Sequence, residues 1–192
     1  MNLLPIDELT RFEAWVSEYK SNYHTQDEID AFGEDLADYM TYLLTMAYNN
    51  GVKQAVDDLG LGPTAVYPPM DEMRKALNRK VADKTVYDRL KEYAEGGTAA
   101  DIARVAETDT VRMYSTGVAD MGKASGLSGI KKRWNTMMDE KVRDTHSYLE
   151  AIEVPLGEDF YTYDGDHAPY PGMFEMVSNN ANCRCSISLI RG

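Results

Sequence analysis

The sequence predicts an α+β protein: a mainly α-helical N-terminal region over residues 1–125, then a small C-terminal α+β module over 126–192 with a few antiparallel strands. Three observations carry this expectation. Apolar residues recur every three or four positions through the first two thirds of the chain, the spacing of helices that bury one face. Capping signatures and glycine or proline breaks punctuate that stretch at helix-length intervals. After Gly129 the pattern changes to short alternating runs, as in strands with one covered face.

Taken in order, a first helix opens at Asp7 or Glu8 and runs to about Tyr19, with Leu9, Phe12, Ala14 and Trp15 on its apolar side. Thr25 and Glu28 have the spacing of a capping box, in which side chain and backbone satisfy each other reciprocally. They open a long helix over 26–59 whose stripe is Ile29, Phe32, Leu36, Tyr39, Met40, Leu43, Leu44 and Ala47. Gly60-Leu61-Gly62-Pro63 ends it, and residues 64–69, with Pro68-Pro69, read as a linker. A third helix is expected over 70–95, stopping at Gly96-Gly97. Thr98 caps a fourth, with Asp101 in its first turn and Ile102, Val105, Thr108, Val111 and Met113 facing inward. Gly117 interrupts that pattern, and residues 122–129 form a flexible joint.

In the module, Ile130, Lys132, Trp134 and Thr136 fall on one side of a strand. Residues 139–150 read as a short helix capped by Asp139. The stretch 151–163 alternates weakly and contains Pro155, as edge strands do. Residues 164–172 are loop, and 183–190 form a final strand with Cys183, Cys185, Ile187 and Leu189 on one face.

Composition narrows the function classes. At 192 residues the chain is one domain, or one domain with a helical extension. No apolar run approaches the ~20 residues of a membrane span. The start, MNLLPIDELTRFEAW, lacks the basic and apolar regions of a signal peptide. A protein made in a cytoplasm, with no membrane partner, is expected. Net charge is −12, and residues 1–60 carry 3 basic against 12 acidic side chains, so this part repels nucleic acid. Residues 74–91 are the exception, with seven basic residues against Asp83 and Asp88; they read as a solvated helix face or a contact for an acidic partner. A disulfide between Cys183 and Cys185 would close a strained ring, so free thiols or metal ligands fit better.

On the expected helix, Asp139, Val142, Arg143 and His146 share one stripe, and its polar groups need partners if it faces the last strand. A metal-free hydrogen-bonded network with the cysteines as small core side chains is the preferred reading. The second is zinc held by His146, Cys183 and Cys185, with Asp139 or His167 as a fourth ligand. Cysteine–histidine catalysis comes last, because no oxyanion motif accompanies the pair.

The ordered set Trp134, Asp139, Val142, Arg143, His146, Phe160, Pro171-Gly172 and Asn182-Cys183-Arg184-Cys185 resembles the C-terminal domain of the Mu F-like family of phage minor head proteins. The helix with Ile102-Ala103-Arg104 and Glu107-Thr108, leading through Gly117, resembles the one that precedes that domain, so the likeness covers roughly residues 98–190. Leu149-Glu150-Ala151, where the family often has a glycine, is a departure. The resemblance implies a minor head protein of a phage or prophage, associated with the portal and acting in procapsid assembly or in DNA packaging and ejection. Its partners would be the portal protein, other head proteins and phage DNA; it would reside in the virion, and in the host cytoplasm during assembly. No catalytic residue and no cofactor besides zinc are expected, nor any appended toxin or enzyme domain, since the chain closes at Gly192. Two other classes stay open: a small nuclease or transferase-type enzyme using His146 and Arg143, and a DNA-binding adaptor working through 74–91.

Overall fold

The computed structural model describes residues 6–62, 65–81 and 83–192, Ile6 by its backbone alone. Pro63 and Thr64, in the expected break and linker, lie outside the described residues, as does the start of the chain.

Helix α1 (Ile6–Lys20) carries Asp7 and Glu8 in its first turn and Lys20 in its last, charges that suit the helix dipole. Its Phe12 and Val16 are buried, and Trp15 packs against Phe32 and Tyr39 of α2 (Gln26–Asp58). The Thr25–Glu28 capping box forms as the sequence predicts; of the expected α2 stripe Phe32, Leu36, Met40, Leu43, Leu44 and Ala47 are core, Ile29 and Tyr39 are half-buried, and burial continues to Ala55.

The expected helix over 70–95 is two helices, α3 (Met70–Leu77) and α4 (Val86–Gly96). Asn78 stops α3 by turning its amide onto the Arg74 carbonyl. Val81 then pairs with Lys84 across a tight turn in which Asp83 has a φ of 67°. Thr85 and Asp88 form a second capping box and start a new helix. A polar side chain that bonds the backbone locally competes with helix continuation, and here it wins. The basic residues of 74–91 therefore share no single helix face: Lys75 pairs with Glu72, Lys84 with Glu92 and Arg89 with Asp109.

Helix α5 (Ala99–Ala124), capped by Thr98 and Asp101, is the axis of the fold. It is buried along most of its length, and packs against α1, α2, α3, α4 and the last strand. Gly117 does not interrupt it. A Cβ on Gly117 would stand 2.1 Å from the Tyr48 carbonyl oxygen, and one on Gly51 only 2.0 Å from that of Tyr114. The backbones of α2 and α5 touch at this reciprocal glycine crossing, which explains a glycine inside each helix.

The C-terminal part has antiparallel strands, as expected. β1 (Lys131–Asn135) is the centre of a three-stranded sheet in the order β2-β1-β5, with β2 (Glu153–Pro155) and β5 (Ser186–Ile190) on its flanks. Trp134 lies opposite Ile187 and Lys132 opposite Leu189. Pro155 sits on an edge strand, as its missing N–H requires. On the opposite flank the Asp58 carboxylate of α2 accepts the Leu189 N–H at 2.8 Å. The expected loop 164–172 contains a short strand: β3 (Phe160–Tyr161) and β4 (His167–Ala168) make a small hairpin. Two single-turn helices, α6 (Asp144–Ser147) and α7 (Val177–Asn180), complete the module.

The helix expected over 139–150 shrinks to α6. Asp139 accepts the Lys141 N–H at 3.1 Å and pairs with Arg184, while Arg143 is extended at the N-cap position. Asp139, Arg143 and His146 are thus not one helical stripe. The final strand starts at Ser186, so both cysteines precede it, though Cys183, Cys185, Ile187 and Leu189 are all buried as their alternation predicts. Ser186, expected on the outer face, is buried too. No helix among the described residues is long and apolar enough to cross a membrane.

Candidate metal centre and its supporting network

Three donor atoms meet inside the module. His146 Nδ1 lies 3.5 Å from Cys183 Sγ and 3.5 Å from Cys185 Sγ, and the three atoms lie within 4.8 Å of one another. All three residues are buried, His146 at 1% exposure. His146 arrives on α6, whose short turn is anchored by its own backbone bonds to Arg143. The cysteines arrive on the segment leading into β5, where Asn182 adopts a φ of 55° and donates its N–H to Thr108 Oγ1 of α5 at 3.2 Å.

The two thiols share one hydrogen bond, so their proton affinities are tied together. A hydrogen bond from the Cys185 side chain holds the Cys183 thiol well below its usual value, with help from His146. The same hydrogen bond, together with burial, pushes Cys185 far up. Both effects follow from placing two thiols and an imidazole together away from water.

Two aromatic rings pack against the histidine. Trp134 is fully buried and meets His146 in a T-shaped contact at 5.4 Å, and Phe174, itself in contact with Trp134, stacks on His146 at 5.2 Å. Phe160 adds a T-shaped contact to Trp134 at 5.1 Å. Among the described residues His146 Nε2 has no hydrogen-bond partner. Beside the three donors is a pocket of only about 10 Å³, edged by Lys141, Val142, Arg143 and Asn182.

The other expected site residues act around this centre. Arg143 points its fork at the carbonyls of Ser178 and Ala181, at the end of α7, and not into the 164–172 loop. Asp139 pairs with Arg184, which holds its carboxyl below the usual range. His167 pairs with Asp159 at 2.8 Å. Among the described residues the donor group comprises His146, Cys183 and Cys185, and neither Asp139 nor His167 joins it.

Several polar groups that hold this architecture escaped the sequence reading. Asp166 is buried and accepts from the N–H groups of His167, Glu175 and Met176 and from Asn179 Nδ2. The Asn180 side-chain amide accepts the Phe174 N–H and donates to the Phe174 carbonyl, fixing the ring that stacks on His146. On α5, Asp109 accepts from Arg112 at 2.8 Å and from Arg89 at 2.5 Å, and Arg112 also donates to the Ala76 carbonyl. Gly172, at φ +85°, passes so close to Arg112 that a Cβ would lie 2.7 Å from the arginine's own. Lys132 is buried, donates to the Pro169 carbonyl and stands 5.3 Å from the Phe160 ring centre; burial lowers its pKa to about 8. The signals for these were present only as a buried-face lysine and as Asp and Asn residues in apparent loops.

Fold and site together define a small α+β module, clasped by a long buried helix, with its histidine and cysteines gathered in the interior. The chain belongs to the family described as Phage Mu protein F like protein, whose profile matches residues 70–188. The match begins at α3, earlier than the motifs alone indicate, and α3 and α4 are the helices whose Ala76 and Arg89 hold the Arg112–Asp109 pair. Among curated proteins the chain is similar to NAD(+)--arginine ADP-ribosyltransferase EFV of Enterococcus faecalis (strain ATCC 700802 / V583), at 28% identity over 60% of this chain and 30% of that protein. It is also similar to Minor head protein GP7 of Bacillus phage SPP1, at 26% identity over 43% of this chain and 27% of that protein. The chain thus spans under a third of the length of either relative. No solved structure matches it.

Proposed function

We propose that this chain is a minor head protein of a phage or prophage, working beside the portal in procapsid assembly and in the packaging or ejection of DNA. The observation that carries this reading is family membership over residues 70–188, a span that runs from α3 into β5. The similarity to Minor head protein GP7 of Bacillus phage SPP1 points the same way. A structural role is supported by where the reactive groups sit. His146 is enclosed by Trp134 and Phe174, and Arg143 is committed to backbone carbonyls, so neither is presented to a substrate. The likeness to the ADP-ribosyltransferase covers 30% of that protein.

The partner contact we assign is electrostatic. Asp27, Asp30, Glu34, Asp35 and Asp38 are exposed on α2, whose opposite face is core. Such a face suits a basic surface on a portal or on another head protein, where complementary charge guides docking. The test is co-expression with portal, scaffolding and capsid proteins, followed by quantitative mass spectrometry of purified procapsids. The wild-type chain is expected in the particles, and the E34K/D35K/D38K variant is expected to fall about tenfold or more with its melting curve unchanged. Absence of the wild-type chain from procapsids would overturn the proposal.

A further inference from the structure

We propose that His146, Cys183 and Cys185 bind one zinc ion, through Nδ1 and two thiolates, with a water in the fourth position, and that this ion is a structural clip. The inference goes beyond the head-protein reading and does not depend on it.

Spacing is the first argument. Zinc bonds of ~2.0–2.1 Å to nitrogen and ~2.3 Å to sulfur, at a tetrahedral angle, place the two donors about 3.5 Å apart. Both observed Nδ1–Sγ distances are 3.5 Å. The second argument is a proton count. A neutral imidazole has one acceptor nitrogen, so Nδ1 can accept from one thiol only, yet both sulfurs lie equally near it. A cation at the centre resolves this: each thiol yields its proton to solvent, and three lone pairs converge on one ion. The third argument is the direction of the ring. Nε2 is buried beside aromatic rings with no partner among the described residues, which leaves Nδ1, facing both sulfurs, as the nitrogen available for ligation. Imidazole with two thiolates is a donor set that selects zinc over magnesium or calcium.

The fourth position follows from the space. Asp139 is held by Arg184 and His167 by Asp159, so neither is free to close the shell. The adjoining pocket, at about 10 Å³, is near the ~10–15 Å³ lower limit for one water. That is room for about one water molecule. The ion's effect is therefore mechanical: it ties α6 to the segment that leads into β5, two elements joined otherwise by side-chain contacts.

The test uses the full, untagged chain expressed in zinc-supplemented medium. Elemental analysis after gel filtration is expected to give one zinc per chain, and a tight chelator is expected to lower the melting temperature. Replacing zinc by cobalt(II) is expected to produce a thiolate-to-metal charge-transfer band together with the strong visible bands of a tetrahedral site. C183S and H146Q should lose stoichiometric zinc. Because these variants can also unfold, the cobalt spectrum of the wild-type chain decides independently of them. Zinc below a tenth of stoichiometry with no charge-transfer band in the cobalt-treated protein would overturn the proposal. So would folded C183S or H146Q protein that keeps full zinc, since the metal would then sit elsewhere.

Discussion

Replacing Gly51 by alanine tests the α2–α5 crossing, because local and tertiary physics predict opposite signs. Helix propensity alone favours the change by about 1 kcal/mol. The new methyl group, however, would sit 2.0 Å from the Tyr114 carbonyl oxygen, where ordinary contact begins at 3.4 Å. The helices must part by about 1.4 Å, the difference of those two distances. A gap of that size forfeits much of the dispersion energy between packed faces, here those around Tyr48, Val52, Tyr114 and Val118. Overpacking of this kind costs roughly 3–5 kcal/mol against backbone, at and above the usual range. After the propensity gain the net loss is about 2–4 kcal/mol, or roughly 5–15 °C in melting temperature for a chain of this size. Gly33→Ala is the internal control. It lies on the same helix, but its Cβ would meet only the Ala94 methyl at 4.0 Å. That variant is expected to gain about 0.5–1 kcal/mol. Thermal and urea unfolding followed by circular dichroism measure both. If G51A and G33A shift stability in the same direction, the crossing does not work as described.

Two further outcomes follow from the buried polar groups. Lys132 has a folded-state pKa of about 8 against an ordinary 10.5, so between those values the unfolded chain holds the proton that the folded chain has released. Its burial as a cation therefore weakens the fold below pH 8, and stability rises as pH climbs through that window. Urea titrations from pH 7 to 9.5 should show the wild-type chain gaining on K132M; a constant gap between them would contradict the assignment. Asp166→Asn puts an amide donor where four groups donate, and should cost about 2–4 kcal/mol. An unchanged urea midpoint for that variant would mean that the 166–180 turn holds without the carboxylate.

What was legible in the sequence was what depends on near neighbours. The helix caps at Thr25 and Thr98 involve residues three apart, and both form as the sequence predicts, Thr98 and Asp101 completing a full capping box. The same signal at Thr85 and Asp88 was in plain view, yet the apolar spacing from 70 to 95 outweighed it. Asp139 misled for a related reason: its side chain serves equally to cap a helix or to hold a turn, and the bond to Lys141 N makes it the latter. The meeting of His146 with the cysteines was legible because strand-like alternation put both sulfurs on the covered face. The Asp109–Arg112–Arg89 cluster was not, since its partners come from α3, α4 and α5 and no spacing along the chain relates them. Gly117 looks like a break in the sequence because a helical glycine carries no local sign that another backbone lies against it.

The sheet's two flanks have a consequence for how the module can meet other proteins. A strand joins an existing sheet by offering hydrogen bonds along an open edge. On one side Pro155 has no N–H to offer, and on the other the Leu189 N–H is already taken by Asp58. Neither border presents an unbroken template, so an extended peptide cannot lengthen this sheet by simple zipping. Contacts with other chains must then be read through side chains and helix faces, which keeps copies of the chain from annealing edge to edge.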